Sequence, residues 1–189
     1  MSHLPGTYGA RGRVGAAGEN YFARGLKRAG LTKFEVFYSL NIPDVPGKAR
    51  MRGDIDCVIA NGAKVVLIDV KRWAGSWLWT IPGTDKPLNG FLPYSKDGEW
   101  GLSKNMITAL DRMRLRLPEA DISAMVVFVP TKNHDPESVP RSVDFLIWPG
   151  MIRSYISGHA FGELNLRLGN EVVDVPPSAL HLLTQLKRN

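Results

Sequence analysis

The strongest hydrophobic pattern in this chain is a pair of apolar runs within residues 54–71, separated by Asn61 and Gly62. Asn-Gly is the dipeptide most typical of a tight β-hairpin turn, because both central residues of that turn need positive φ. The pattern therefore predicts a β-hairpin in which Ala60 pairs with Ala63, and this register decides which side chains meet.

The predicted register places four charged side chains on one face of the hairpin. Asp54 is expected to face Asp69, and Asp56 to face Leu67, because paired residues lie directly opposite each other. Side chains alternate between the two faces of a strand, so Lys71 joins the three aspartates. The opposite face is then apolar and contains Cys57, Val66, Ile68 and Val70. Three carboxylates at the end of such an apolar hairpin are costly unless a cation binds them.

The predicted cation is a divalent metal. Asp56, Asp69 and the carbonyl of Val70 offer hard oxygen ligands, which suit Mg²⁺ or Mn²⁺ better than softer metals. A metal held there can polarise a phosphate and lower the pKa of a bound water. Lys71 would neutralise the charge that builds on the reacting phosphate or orient the attacking water. We therefore expect these three residues as metal ligands, with both acids and Lys71 in catalytic roles.

Periodicity elsewhere predicts alternating helices and strands, as in an α/β protein. The predicted helices are residues 14–29, 102–117, a short helix over 149–157, and a helix from residue 177 onwards. The predicted strands are residues 34–40, 77–81, 125–129, 143–148 and 171–175. Residues 82–101, with three Pro and four Gly, predict a long loop. We expect residues 1–13 to form a flexible basic arm and residues 14–189 to form a single domain.

One acidic residue of the first helix stands out because it faces inward. Glu19 is at helical spacing from Phe22 and Leu26, which belong to the apolar side of the helix. An inward glutamate is uncommon without a partner. Two explanations stay open: a local cap or ion pair, or a carboxylate that reaches the same pocket as the aspartates.

The charge distribution favours a polyanionic partner. The net charge is +6; residues 1–75 contain 12 Lys and Arg against 6 Asp and Glu, whereas residues 76–189 contain 12 of each. The whole excess therefore lies in the part that carries the acidic hairpin. A basic surface around an acidic pocket suits a polyanion attacked at one point. An ordinary solvated basic surface is the alternative.

A basic track is predicted immediately before the hairpin. If the backbone stays extended there, Lys48, Arg50 and Arg52 share the face of the aspartates and lead phosphates toward them. Arg72, next to Lys71, completes the expected nucleic-acid-binding residues. The alternative is a mobile loop whose charges meet only water. Three further arginines of residues 102–117 are expected on a solvated helix face: Arg112, Arg114 and Arg116.

Several classes of protein are excluded. Cys57 is the only cysteine, which excludes a disulfide framework, and the histidines lack metal-ligand spacing. There is no signal-peptide core, no apolar run near the roughly 20 residues of a membrane span, and no P-loop or dinucleotide fingerprint. We expect a soluble cytoplasmic protein with no membrane partner and no small-molecule organic cofactor. The oligomeric state stays open, a homodimer included.

Glu19 on a first helix, followed by residues 53–59 and then 67–75, resembles the nuclease-related (NERD) domain of the PD-(D/E)XK nuclease superfamily. The resemblance spans about residues 12–130. It implies a restriction-endonuclease-like α/β core, with a central mixed β-sheet flanked by helices, and Mg²⁺- or Mn²⁺-dependent hydrolysis of DNA, as an endonuclease. By position, Asp56 and Asp69 are the metal-binding acids and Lys71 the catalytic lysine. Glu19 is the helix-borne acid near the metal.

The chain departs from the family pattern at identifiable positions. Ile55 replaces the proline of the superfamily's name, Asp69 stands where the family usually has Glu, and Asn105 is matched to a polar residue on a later helix. Two other functions remain open: a catalytically silent nuclease-fold module that binds DNA, or a structural protein-interaction domain. Metal-dependent cleavage would separate the enzyme from the binding module, and salt-sensitive DNA affinity would separate the module from the interaction domain.

Overall fold

The helices and strands below come from a computed structural model of the chain. It describes residues 10–51, 53–72, 78–80, 87–89, 92–93, 104–131, 138–139, 141, 147–148 and 152–188. The helices are α1 (Ala10–Arg28), α2 (Lys104–Arg116), α3 (Ser157–Leu168) and α4 (Pro177–Gln185), with a 3₁₀ turn at Leu31–Lys33. The strands are β1 (Glu35–Asn41), β2 (Asp54–Asn61), β3 (Lys64–Lys71), β4 (Leu78–Thr80), β5 (Pro87–Asn89), β6 (Leu92–Pro93), β7 (Asp121–Phe128), β8 (Ile147–Trp148) and β9 (Ile152–Ile156).

Six of these strands form one mixed sheet in the order β1-β2-β3-β7-β9-β8. β1, β2 and β3 are antiparallel neighbours, β3, β7 and β9 are parallel, and β8 is antiparallel to β9. The parallel pair β3 and β7 requires a crossover connection, and α2 lies within it. The three short strands β4, β5 and β6 form a separate sheet.

Helices cover both faces of the main sheet. On one face, α1 and α3 pack on the sheet through Phe22, Leu26, Ala160 and Leu164. On the other face, α2 and α4 pack through Ala109, Met113, Ala179 and Leu183. This three-layer arrangement confirms the predicted α/β fold with a central mixed sheet. Within the described segments, no helix is long and apolar enough to cross a membrane.

The predicted helix over residues 149–157 is wrong. Ile152–Ile156 is strand β9, and helix α3 begins only at Ser157. Burial in β9 alternates, with Ile152 and Ser154 buried and Arg153 exposed, which is the period of a half-buried strand. Pro149-Gly150 suits a helix start, but β9 is fixed by its pairing with β7.

Other boundaries also differ from the predictions. α1 begins at Ala10 and not at Val14, so residues 10–13 are helical and residues 1–9 lie outside the described part. The predicted strand over residues 171–175 is absent, although the Val173 carbonyl accepts a hydrogen bond from Gly62 N–H at 2.9 Å. The predicted long loop contains strands β5 and β6. Much of the predicted strand over residues 143–148 lies outside the described residues, which include only its end, β8.

The hairpin forms, but its register differs from the predicted one. Ala60 pairs with Val65, and Asn61 with Lys64, so Gly62 and Ala63 are the central residues of the turn. Gly62 has a φ of 57°, which a first central glycine adopts readily. Asn61 is not a turn residue because its side chain is buried and hydrogen-bonded to the segment after α3.

The new register preserves the predicted faces in β3 and over residues 57–60 of β2, because each pair has moved by an even number of residues. Before Cys57 the prediction is wrong: Ile55 packs in the same cluster as Val58, so alternation places Asp54 on the face opposite Asp69. Cys57, Val66 and Ile68 pack in the cluster that faces α1 and α3, as predicted. Asp69 and Lys71 therefore lie on the other face of β3, toward α2.

Candidate active site

β1 and β2 are both distorted at the level of Asp56. In β1, Phe37 and Leu40 pack in the same hydrophobic cluster, although regular alternation would place them on opposite faces. Ser39, between them, has a φ of 53°, in the left-handed region that non-glycine residues rarely adopt. Pairing continues on both sides of this point, which puts Ser39 level with Asp56. The break in β1 therefore occurs at Ser39, and alternation in β2 breaks at the same level, because Ile55 and Val58 share one cluster while Cys57 lies in the other.

Asp56 and Asp69 come together where β2 separates from β3. Pairing of these strands ends at Cys57, and extending the register by one position places Asp56 opposite Asp69. There the Asp56 carboxylate accepts a hydrogen bond from the Val70 backbone N–H, with an N–Oδ2 distance of 2.6 Å. Asp69 is buried, and its Oδ1 lies 2.8 Å from Lys71 Nζ. The structure thus brings together both acids expected to bind metal, and the lysine.

Burial and mutual charge control the electrostatics of this group. Burial raises the pKa of Asp56 well above its ordinary value and the charge of Asp69 raises it further, while Lys71 and the Val70 N–H lower it. Burial lowers the pKa of Lys71, but the charges of Asp69 and Asp56 outweigh burial, so this pKa is raised. Lys71 is therefore an ammonium at neutral pH, where it acts as a cation and not as a base.

Helix α1 brings Glu19 toward these acids. A Cβ at Gly18 would lie 3.4 Å from Arg72 Cβ, so glycine allows α1 to approach the end of β3 closely. Burial raises the pKa of the Glu19 carboxyl, and the charge of Asp54 raises it further. Glu19 also contributes to the raised pKa of Asp56. Glu19 therefore lies within electrostatic range of Asp54 and Asp56, and its place at a metal stays a prediction.

Helix α2 places Asn105 at the start of β2. A Cβ at Gly53 would lie 3.0 Å from Asn105 Nδ2, so this exposed amide is adjacent to the residue that precedes Asp54. The close approach leaves no room for a side chain at Gly53 without movement of Asn105. Two helices, α1 and α2, thus approach the acidic end of the hairpin from opposite faces of the sheet.

The loop between β1 and β2 carries the residues of the predicted basic track. Its described residues form no strand, so the alternation that would align Lys48 and Arg50 with the aspartates is absent. Both side chains are exposed, and Arg50 Nε lies 3.7 Å from Asp44 Oδ2 in a solvent-exposed ion pair. Arg52 lies outside the described residues. The binding of phosphates by these side chains stays a prediction.

Two arginines serve the structure in ways that local pattern did not predict. Arg112 is buried and donates hydrogen bonds to the carbonyls of Pro43 and Ala49, so its expected position on a solvated face is wrong. Arg72 donates through Nε to Pro130 O at 3.1 Å, and through Nη2 to Thr131 O. Both guanidiniums donate to backbone carbonyls of residues that lie outside the strands. No pattern in the sequence indicates these hydrogen bonds.

The sequence also missed a basic residue at the acidic end of β2. Arg188 Nη1 lies 2.6 Å from Asp54 Oδ2, and both side chains are 43% exposed. No periodicity or motif marks Arg188, because 134 residues separate the two partners. Only the folded arrangement reveals the contact.

The donor set fits a hard divalent cation. No group of three or more His, Cys, Asp or Glu side chains is arranged as a metal site among the residues described. Mg²⁺, however, usually keeps several waters and binds through one or two carboxylates plus a substrate phosphate, so a full protein cage is not required. A cation between Asp56 and Asp69 would also relieve the repulsion that raises the pKa of Asp56. Cys57 is buried on the opposite face, where burial raises its thiol pKa, so it is not a ligand.

Comparison with known families identifies a match over most of the chain's first two thirds. The model of the family described as nuclease-related domain matches residues 14–129, more than half of the 189-residue chain. This range contains most of α1, the hairpin of β2 and β3, helix α2 and strand β7. No curated protein and no solved structure matches the chain. The three-layer fold is consistent with a restriction-endonuclease-like core.

Proposed function

We propose, from the premise that this chain belongs to the nuclease-related domain family, that it is a metal-dependent endonuclease that hydrolyses DNA phosphodiester bonds. The family supports a nuclease-related function, and the geometry at the end of the hairpin supports the chemistry. One observation carries the proposal: the Asp56 carboxylate is held on the backbone N–H of Val70, the residue next to Asp69, and the Asp69 carboxylate lies 2.8 Å from the Lys71 ammonium.

Asp56 and Asp69 would hold Mg²⁺ or Mn²⁺, with the Val70 carbonyl as a third oxygen donor. The cation would supply Lewis-acid polarisation of the phosphate. The Val70 N–H orients the Asp56 carboxylate, because it donates to Oδ2 and leaves the other oxygen for a second partner. Glu19, with a raised pKa, is suited to hold a water or to exchange a proton near the acids.

Lys71 has a separate role in this proposal. Because its pKa is raised, it carries a positive charge that can stabilise negative charge growing on the phosphate. Its ion pair with Asp69 keeps the ammonium at the metal-binding acids before the substrate arrives. Lys48 and Arg50 remain proposed DNA contacts, because both are exposed on the loop that precedes β2.

A DNA-binding module that does not cut is the second candidate. It is favoured by one feature: Asp56 and Lys71 already have partners within the protein, in Val70 N–H and Asp69. Such a module would use the basic surface and keep the acids as a structural group. Cleavage distinguishes this candidate from the nuclease.

The test is incubation of the purified protein with supercoiled, linear and single-stranded DNA, in Mg²⁺, in Mn²⁺ or in EDTA. We expect cleavage that depends on the metal and that is absent in Asp69→Ala purified in parallel. Asp69→Ala should stay folded, since it removes repulsion among carboxylates. Equal cleavage by wild type and Asp69→Ala would mean that the site is wrong or that the activity is a contaminant. A folded wild type that binds DNA without cutting would support the second candidate.

A further inference from the structure

The segment Leu186–Arg188 pairs with the outer edge of β1. Asn41 N–H donates to Leu186 O at 2.8 Å, and Arg188 N–H donates to Ser39 O at 3.2 Å. Lys187 forms a β-bridge with Leu40 between these two hydrogen bonds. The segment is therefore fixed by its backbone at the level where Ser39 distorts β1.

This pairing delivers the Arg188 side chain to the proposed site. Its guanidinium meets Asp54, whose charge acts on both Glu19 and Lys71. Arg188 lies beyond the range that the family model matches, which ends at residue 129. One partner of the contact therefore lies outside the part of the chain that the family model matches.

Stability alone does not account for the Arg188–Asp54 pair. Exposed ion pairs typically contribute about 0.2–1 kcal/mol, and the segment is already held by its backbone hydrogen bonds. A guanidinium has five N–H donors in a planar fork. Asp54 occupies one edge of that fork, and the side chain remains 43% exposed, so N–H groups are left for a second anion.

We propose that Arg188 contacts a backbone phosphate of DNA bound at the acids, and that Asp54 holds its guanidinium in position. This inference rests on the proposed function, because it assumes that DNA reaches the acidic end of β2. Arg188 then offsets the negative charge of the carboxylates where the polyanion must approach. The contact belongs to binding, and it is separate from the chemistry at Asp56 and Asp69.

The test measures binding of a short DNA duplex in EDTA over a series of salt concentrations, so that cleavage plays no part. Arg188→Ala should weaken affinity at low salt and flatten the plot of log affinity against log salt by about 0.9. Arg188→Lys should keep most of the slope, because it keeps the charge. Lys64→Ala is the matched control: it also removes one exposed positive charge, but at the turn end of β3, roughly 23 Å from Lys71. An unchanged slope in Arg188→Ala would overturn the proposal.

A double variant separates contact from simple neutralisation of Asp54. If Arg188 only cancels the charge of Asp54, then Arg188→Ala combined with Asp54→Asn should bind like the wild type. If it contacts phosphate, affinity and slope should stay reduced in the double variant. Recovery of wild-type binding would therefore overturn the proposal.

The outcome is distinguishable from failure of the proposed function. A wild type that binds DNA but never cuts it contradicts only the nuclease, and the Arg188 comparison can still be made in full. A wild type with no DNA affinity would overturn both. Circular dichroism melting of each variant checks folding, which the loss of one exposed ion pair should leave nearly unchanged.

Discussion

A single buried carboxylate illustrates how this site combines function with a cost in stability. The Asp56 carboxyl loses hydration and lies next to Asp69, so its charged form is disfavoured in the folded protein. The Val70 N–H and Lys71 offset part of this cost. Without a bound cation, the residues that would hold it therefore destabilise the folded protein, as expected at a functional site.

We predict that Asp56→Asn raises the free energy of unfolding at neutral pH. The pKa of the Asp56 carboxyl is higher in the folded state than in the unfolded state. Its contribution to the free energy of unfolding is therefore fully present below the unfolded-state pKa and is lost as the pH rises toward the folded-state pKa. The gain of Asp56→Asn over the wild type should thus be small at acidic pH and increase toward neutral pH. Each pKa unit corresponds to about 1.4 kcal/mol, which urea unfolding resolves.

Asp111→Asn is the control for this prediction, because Asp111 is an exposed residue of α2. It should leave the free energy of unfolding nearly unchanged, because a substitution at an exposed position away from packed groups has little effect. A stability difference for Asp56→Asn that is constant from acidic to neutral pH would show that the carboxyl is not penalised by burial and by Asp69.

The length of the side chain at residue 69 gives a second prediction at this scale. Asp69 is one methylene shorter than the glutamate that the resemblance leads us to expect. Asp69→Glu should keep metal-dependent cleavage, with a changed preference between Mg²⁺ and Mn²⁺, because the carboxylate extends further from β3. Initial cleavage rates in each metal measure this. A folded Asp69→Glu as inactive as Asp69→Ala would mean that the cavity around residue 69 accepts only the shorter acid.

At the scale of elements, the hairpin of β2 and β3 is fixed at its turn end by Asn61. Its Nδ2 donates to Leu168 O at 3.0 Å and to Glu171 O at 2.7 Å, and its Oδ1 accepts from Val173 N–H at 2.7 Å. One buried amide thereby binds the segment after α3 to the end of the sheet. The acids lie at the other end of the same strands.

Asn61→Ala should destabilise the protein by about 2–4 kcal/mol, because it leaves two carbonyls and one N–H without the buried partner they have now. Asn165→Ala is a matched control, since Asn165 makes one 3.3 Å hydrogen bond within α3, to Phe161 O. It should cost less than about 1 kcal/mol. Chemical denaturation measures both. DNA cleavage by Asn61→Ala well below its melting temperature should match the wild type, and a loss of activity there would show that the turn end communicates with the acids.

These elements also show what local sequence can predict. The existence of the hairpin, α2, β7 and α4 followed from local sequence, because the two helices each bury one regular apolar face and the strands are apolar runs buried on both faces. The register did not, because the Asn61 side chain is bound to residues more than 100 positions away, and that outweighs its turn propensity. Strand β9 was missed because Pro149-Gly150 also suits a helix start, and only pairing with β7 decides the outcome.

The same limit applies to the candidate site. Asp69 and Lys71 were predicted to share a face because alternation along a single strand determines it. Arg188 and Arg112 were missed because their partners are 134 and 63 to 69 residues away, beyond any local pattern. Ser39 gave no signal, since serine is not a residue type that marks a left-handed φ.

At the scale of the whole molecule, the site depends on all three layers. The acids are on the sheet, Glu19 comes from a helix on one face, Asn105 from a helix on the other, and Arg188 from the edge of β1. The segments after residue 129 help to cover both faces of the sheet. Helix α3 supplies apolar residues to the cluster on the α1 face, and α4 supplies them to the cluster on the α2 face. A metal that requires Asp56 and Asp69 together should therefore bind the folded chain and not the unfolded one.

This linkage predicts that Mn²⁺ raises the melting temperature of the wild type. A ligand that binds only the folded state, at 100 times its dissociation constant, stabilises by about 2.7 kcal/mol. For a chain of this size that corresponds to a rise of about 5–10 °C. Differential scanning fluorimetry without DNA gives the measurement, and NaCl at equal ionic strength tests for a general salt effect. Asp69→Ala should melt at or above the wild-type temperature in EDTA, yet gain little from Mn²⁺. An equal Mn²⁺-induced rise in wild type and Asp69→Ala would place the metal elsewhere and remove the basis for the proposed chemistry.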